Sequence, residues 1–311
     1  MPVVFMTVAK RGFTLIELTV VLAILGVVGG AIGVTLLRQQ RFYRGASELL
    51  YAREGVRDAM DVLSTDIRGL STVNTIRLLA DSAIELFAHI GSSVVCQVTG
   101  GTEIGLPPSS PVENPLTALL SEPDTGDLAL FYSDSIQSGS EWERHRIGAF
   151  TGRSLAASCA QSTALGRGQD FDAGATGFQV TLTTPLSAHV SPGAPVRFIR
   201  RGRYSLYRGS DGDWYLGYRR CNAIGSSVCG AIQPLSGPYR QYSSNRRLTG
   251  LLFEYFDSHG TPLDGGSNPL AVARVDITAR AQSRQRLAIE GNPWTPSDSG
   301  TVSVAMRNRS P

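Results

Sequence analysis

The chain has 311 residues, a formal net charge of +3 and a composition that is 42% hydrophobic and 18% charged. It shows no internal repeat and no second membrane-length apolar run, which excludes a solenoid and a polytopic membrane protein. What remains is a globular chain with one unusual end. Residues 10–17 read KRGFTLIE, and Leu18 to Leu37 then carries no charged residue. The apolar stretch Phe13 to Leu37 predicts a helix about 37 Å long, enough to cross a hydrocarbon core about 30 Å thick. A secretory signal peptide has a shorter apolar core followed by a small-residue cleavage site. Here the run is too long, and any cleavage signal would precede it, so the helix stays with the mature chain.

Glu17 is the one carboxylate in this stretch. A lone ionised carboxylate at membrane depth costs several kcal/mol unless it is paired. Two readings follow: Glu17 lies at the interface and reaches water, or it meets a cation. The basic leader, the Gly-Phe-Thr-Leu-Ile-Glu sequence and the apolar helix together resemble the N-terminus of the type IV pilin and type II secretion pseudopilin superfamily. Gly12, Phe13 and Glu17 are the matching positions.

The resemblance implies cleavage between Gly12 and Phe13 by a prepilin peptidase and N-methylation of Phe13. It also implies that Glu17 neutralises a neighbouring subunit's N-terminus during filament assembly. Partners would be other pilins or pseudopilins, the inner-membrane assembly platform and membrane lipid. Lys10 and Arg11 before the span compete with Arg38, Arg41 and Arg44 after it under the positive-inside rule, so charge alone does not orient the helix. The leader resemblance puts the N-terminus in the cytoplasm and the head on the periplasmic side of the bacterial inner membrane.

No proline occurs from Val3 to Leu106. Beyond Leu37 an amphipathic stripe runs through Phe42, Ala46, Leu49, Val56, Met60, Leu63, Ile67 and Leu70, interrupted at Arg53. Arg57 and Asp61 stand at i,i+4 spacing. One helix from Phe13 to Leu70 would be about 87 Å long. Its stripe calls for a covering sheet; a free coiled coil is the alternative. Gly26, Gly29, Gly30 and Gly33 weaken it, either to let helices pack closely or to let the segment extend on assembly.

From Ser71 the pattern changes to short β-type runs. Candidate strands are Ile84 to Ile90, Leu128 to Ser133, Phe178 to Thr183, Val196 to Arg200, Arg203 to Tyr207, Trp214 to Tyr218, Leu251 to Phe256, Val272 to Ala279 and Thr301 to Met306. Turns are expected at Ser210-Asp-Gly-Asp213 and Asp257-Ser-His-Gly260. Gly100 to Pro123 and Ala164 to Gly177 read as surface excursions. The expected organisation is a leader (1–12), a transmembrane half-helix (13–37), an amphipathic half-helix (38–70) and a β-rich head (71–311). The fold class is α+β and pilin-like: a long N-terminal helix packed by its second half on an antiparallel sheet. Leu251-Leu-Phe-Glu-Tyr-Phe-Asp with Gly260, the strand near Val272, the chain end Val302 to Asn308 and Val62 to Ser71 are similar to J-type pseudopilins and W-type minor pilins.

Cys96, Cys159, Cys221 and Cys229 allow three pairings. Cys221 with Cys229 is the easiest, leaving Cys96 with Cys159. An even count beyond a membrane anchor favours disulfides over reduced thiols. No C-x-x-C is present, and His89, His145, His189 and His259 are scattered, so no metal site is expected. Asp211 with Asp213, and Asp257 with Asp264, offer oxygen ligands to calcium but serve equally as turn residues.

Residues 71–196 hold 5 Arg and 12 acids, whereas residues 197–311 hold 16 Arg and 8 acids, giving −7 and +8. Three readings compete. The first is complementarity to a neighbouring subunit. The second is a nucleic-acid or surface-binding patch of Arg200, Arg201, Arg203, Arg246 and Arg247 with Tyr204, Tyr207, Trp214 and Tyr242. The third is mutual neutralisation within one sheet domain or simple solvation. No catalytic spacing, phosphate loop or cofactor motif is visible. The expectation is a non-enzymatic assembly subunit without cofactor.

Overall fold

A computed structural model describes residues 14–70, 76–109, 116–135, 139–160, 175–221, 229–284, 287–289 and 292–306. Helix α1 (Leu15–Arg68) is continuous, with Thr14 as N-cap and Gly69 as C-cap. After it come strands β1 (Ile76–Leu79), β2 (Ala83–Val94), β3 (Gln97–Thr99), β4 (Glu103–Leu106), β5 (Ala118–Leu119), β6 (Leu128–Ser135) and β7 (Gly139–Ser154). A single helical turn, α2 (Leu155–Ser158), precedes β8 (Thr176–Leu182), β9 (Pro195–Arg208), β10 (Trp214–Arg220) and β11 (Gln233–Tyr239). The remainder are β12 (Leu251–Phe256), β13 (Pro262–Leu263), β14 (Arg274–Gln282), β15 (Leu287–Ile289), β16 (Asn292–Trp294) and β17 (Ser297–Ala305).

Fifteen of these strands join in one network, ordered β13-β12-β14-β11-β10-β9-β6-β7-β8-β4-β3, with β17 also on β14 and β2 also on β9. Strands β15 and β16 form a separate hairpin. The α+β architecture read from the sequence is therefore present: a long helix, then an antiparallel sheet domain. Long strands change partners along their length. Strand β7 pairs with β6 over its first half and with β8 over its second, with a register shift between Ile147 and Ala149. Strand β9 pairs with β2 along one edge, and with β6 and then β10 along the other.

Those partner changes divide the interior. One core lies between α1 and the sheet and gathers Ala52, Val56, Ala59, Leu63 and Ile67 with Ile84, Tyr204, Leu216, Phe253, Ile277 and Val304. A second has no part of α1 and gathers Ile104, Leu106, Phe131, Ile147, Val180, Val196 and Phe198. A head of this size is large for one core; among the described residues its apolar interior divides into four clusters, of which these two are the largest.

Several sequence expectations need correcting. The covered stripe starts later than Phe42, which is 73% exposed; Ala46 and Leu49 are half-buried, and full burial begins at Ala52. The contact face is made of small residues, Ala52, Gly55 and Ala59, as much as of large ones. A stripe search that weights bulky side chains passes over them. Val196 to Arg200 and Arg203 to Tyr207 are one strand, β9, because Gly202 continues the extended chain between them. The expected excursion at Gly100 to Pro123 contains β4, whose Ile104 and Leu106 are fully buried. Most of Ala164 to Gly177 lies outside the described residues. The hairpin turn at Ser210 to Asp213 joins β9 to β10, and the turn after Asp257 joins β12 to β13.

Candidate functional site: the amino-terminal helix

Helix α1 begins with a reciprocal cap. Thr14 is extended (φ −79°, ψ 150°), and its hydroxyl oxygen accepts from the Glu17 backbone N–H at 3.3 Å. Glu17 reaches back with Oε2, which accepts from the Thr14 backbone N–H and from the Thr14 hydroxyl, each at 2.9 Å. This capping box satisfies orphan donors of the first turn and puts negative charge at the positive end of the helix dipole. Gly12 and Phe13, the expected cleavage and methylation positions, lie outside the described residues. Glu17 itself is exposed, and among the described residues no cation pairs with it.

Every residue from Leu15 to Leu37 is exposed except the half-buried Gly33. Leu15 is 84% exposed and Val27 75%, values that a water-soluble protein does not sustain along a whole helix. The segment is long and apolar enough to cross a membrane, and none of it is covered within the chain. Its two hydroxyls are satisfied internally: Thr19 donates to the Ile16 carbonyl and Thr35 to the Ala31 carbonyl, both at 2.9 Å. That arrangement suits a medium with no water to offer. The helix runs unbroken through Gly26, Gly29, Gly30 and Gly33, with open space where each Cβ would stand.

With this geometry in view, the comparison with known families is specific to one segment. Residues 8–33 match the family model described as the prokaryotic N-terminal methylation motif. No curated relative and no solved structure matches the chain. The motif supports a membrane-anchored pilin or pseudopilin subunit, processed by a prepilin peptidase and assembled with other such subunits, and a structural role over an enzymatic one.

The head is held to the lower part of α1 by buried polar bonds as well as by packing. The Tyr239 hydroxyl donates to the Gly55 carbonyl at 2.5 Å, and burial pushes its phenol up to about 12, keeping it a donor at neutral pH. Tyr204 donates to the carboxylate of Asp66. Sequence reasoning missed this pair; its signal is an acid in the last turn of a helix, beside the buried positions Leu63 and Ile67.

Both cysteine pairs are disulfides, Cys96 with Cys159 and Cys221 with Cys229. Among the described residues, Glu85 converges with Cys221 and Cys229, but those sulfurs are bonded to each other and Glu85 is bound by Arg201 at 2.6 Å. The paired aspartates are occupied by their own turns. Asp257 accepts from the His259 and Thr261 N–H groups, and Asp264 from Gly266 N–H and the Ser267 hydroxyl. These bonds hold both carboxyls below the usual range, led by Thr261 N–H for Asp257 and by the Ser267 hydroxyl for Asp264. Asp211 and Asp213 both face Arg284.

Three arginines of the patch offered as one of the three readings are engaged in ion pairs. Arg200 holds Asp127 with two nitrogens, Nη2 at 2.7 Å from Oδ2 and Nε at 3.2 Å from Oδ1. Arg201 is buried against Glu85, Tyr204 is buried, and Arg246 pairs with Glu254 at 3.4 Å. Tyr242 remains 43% exposed.

Proposed function

We propose that this chain is a minor subunit, of J-type or W-type character, in a type IV pilus or a type II secretion pseudopilus. Prepilin peptidase cuts between Gly12 and Phe13, the new Phe13 amine is methylated, and α1 anchors the subunit in the inner membrane. The N-terminus starts in the cytoplasm and the head, residues 71–311, stands in the periplasm, where its disulfides are at home. The observation that carries this reading is the uncovered apolar half of α1, whose single acid, Glu17, sits in the first turn, within residues matched by the methylation motif. A head of some 240 residues fits a position used rarely, at an initiating tip, better than one repeated along a filament.

In the isolated subunit Glu17 spends its charge on Thr14. In lipid that local cap leaves an ionic charge, which a neighbouring Phe13 ammonium would neutralise. Glu17→Gln is expected to leave leader removal intact, since the capping box survives with a Gln, while incorporation falls at least tenfold. Intact mass spectrometry of the protein from its native host reads the first, and immunoblotting of sheared or cross-linked filaments reads the second. Retention of residues 1–12 would overturn the processing step, and normal incorporation of the Gln variant would overturn the pairing. A role as a tip-exposed DNA or surface binder has less support, because Arg200, Arg201 and Arg246 are engaged in ion pairs.

A further inference from the structure

Between the apolar half of α1 and its first contact with the head lies a segment that neither assembly nor packing accounts for. Arg38, Arg41 and Arg44 follow directly on Leu37, all three exposed. Each lies three residues from the next, so they wind over roughly a third of the helix circumference, and Phe42 and Tyr43 occupy part of the remainder. Those two rings are 73% and 69% exposed and meet edge to face at 6.1 Å. No acid occurs in the sequence between Glu17 and Glu48.

Glu48 and the described acids of the adjoining head strands and turns have partners of their own. Glu48, one turn above Arg44, accepts from the Ser283 hydroxyl at 2.5 Å. Asp298 pairs with Arg53 at 3.5 Å, and Asp211 and Asp213 pair with Arg284. At the end of the sheet by Ser283 and Gly55, an open cavity of about 600 Å³ is lined by Arg208 and Arg240, for which the described residues supply no ion pair. Among the described residues of the head, no carboxylate pairs with the three arginines.

We infer that Arg38, Arg41 and Arg44, with Phe42 and Tyr43 between them, form a collar that binds anionic phospholipid headgroups on the far side of the bilayer. The dimensions agree: from Arg38 to Arg44 the helix rises about 9 Å, against an interfacial layer about 5–7 Å thick and side chains that reach several ångströms. Exposed rings amid arginines at the end of an apolar span have the composition of an interfacial belt, with apolar faces at the acyl boundary and cations at the phosphates. Arginine's planar fork suits a phosphate diester's two oxygens. The collar fixes the depth of α1 before assembly, and it explains how three cations coexist with a head on that side. They are held by lipid rather than read as a loop charge.

This inference rests on α1 spanning a membrane, and one experiment separates the two. The full chain is reconstituted into phosphatidylcholine vesicles containing trace spin-labelled phosphatidylglycerol or spin-labelled phosphatidylcholine, and the motionally restricted fraction of each is compared. The anionic lipid is expected to be preferred, with the preference falling by up to about fivefold for each Arg→Gln change and reaching parity in the triple variant R38Q/R41Q/R44Q. Salt near 1 M is expected to erase it. Arg57→Gln, an exposed arginine beside the head, leaves it unchanged. Extraction of the chain from the vesicles by alkaline carbonate would overturn the spanning reading together with the collar. Stable insertion with equal restriction of both lipids would overturn the collar alone, as would a preference that survives in the triple variant.

Discussion

Asp66 lies in the last turn of α1, where the helix dipole is negative and the surroundings are the apolar contact with the sheet. Burial raises its carboxyl pKa above the ordinary aspartate value, and the hydrogen bond from Tyr204 opposes that rise without cancelling it. The folded state therefore binds the proton more tightly than the unfolded chain does. Below the unfolded value both states are protonated and nothing is lost. As pH rises through the folded value the buried group ionises at a cost, and stability declines toward neutrality. Asp66→Asn should accordingly raise the thermal midpoint at pH 7 and flatten the slope between about pH 4 and 7. Tyr204→Phe removes the donor and should cost about 1–3 kcal/mol at pH 7, and less at pH 4. Thermal unfolding of the two variants at both pH values tests this, and an Asn variant less stable than the parent at pH 7 would refute the assignment.

Helix α1 is the element most legible in the sequence. A proline-free chain from Val3 to Leu106, an uncharged run and the amphipathic stripe beyond it point to the same course, although the Thr14–Glu17 capping box that sets its start was not read from the sequence. Where the sheet takes hold of it was not legible, because the contact depends on small residues whose meaning is set by the partner surface. Gly300 in β17 shows the point: a Cβ there would stand 2.9 Å from Val56 Cγ1, so its absence lets the strand approach the helix. Gly300→Val is expected to destabilise the head by about 1–3 kcal/mol in denaturant unfolding. Gly26→Ala, with open space around it, should leave that midpoint unchanged and slow amide exchange in α1 by up to about fivefold, the equivalent of about 1 kcal/mol of helix propensity. Strand β7 was missed for a related reason. Trp142, Ile147 and Phe150 are its main apolar anchors amid Glu, Arg, His and Gly, and its two halves serve different sheet partners. Strand β11 holds two prolines and a glycine in seven residues, the composition of a turn.

At the scale of the whole molecule, the opposed charges of the two head segments, −7 before Arg197 and +8 from it, meet within one sheet domain. Asp127, 2% exposed by its side chain, takes Arg200 from β9 at 2.7 Å and Arg220 from β10 at 3.0 Å. Arg220 also holds Asp124 at 2.6 Å, and Glu85 in β2 holds Arg201 in β9. Composition revealed the division but not its use, since a linear count cannot tell a surface patch from a seam between strands distant in sequence. The acidic loop before β6 is thus pinned over the place where β9 passes from β6 to β10. Removing the acid should leave the largely buried Arg200 without a carboxylate at that seam, while Arg220 keeps Asp124; the loss is expensive because Arg200 cannot discharge. Asp127→Ala is therefore expected to cost about 3–5 kcal/mol, whereas Asp61→Ala, which breaks the exposed pair with Arg57 at 3.8 Å, should cost under about 0.5 kcal/mol. Denaturant unfolding of both variants discriminates the accounts. Equal, small losses would mean that the halves are joined by packing alone, and would return the basic segment to the surface as a candidate for binding other molecules.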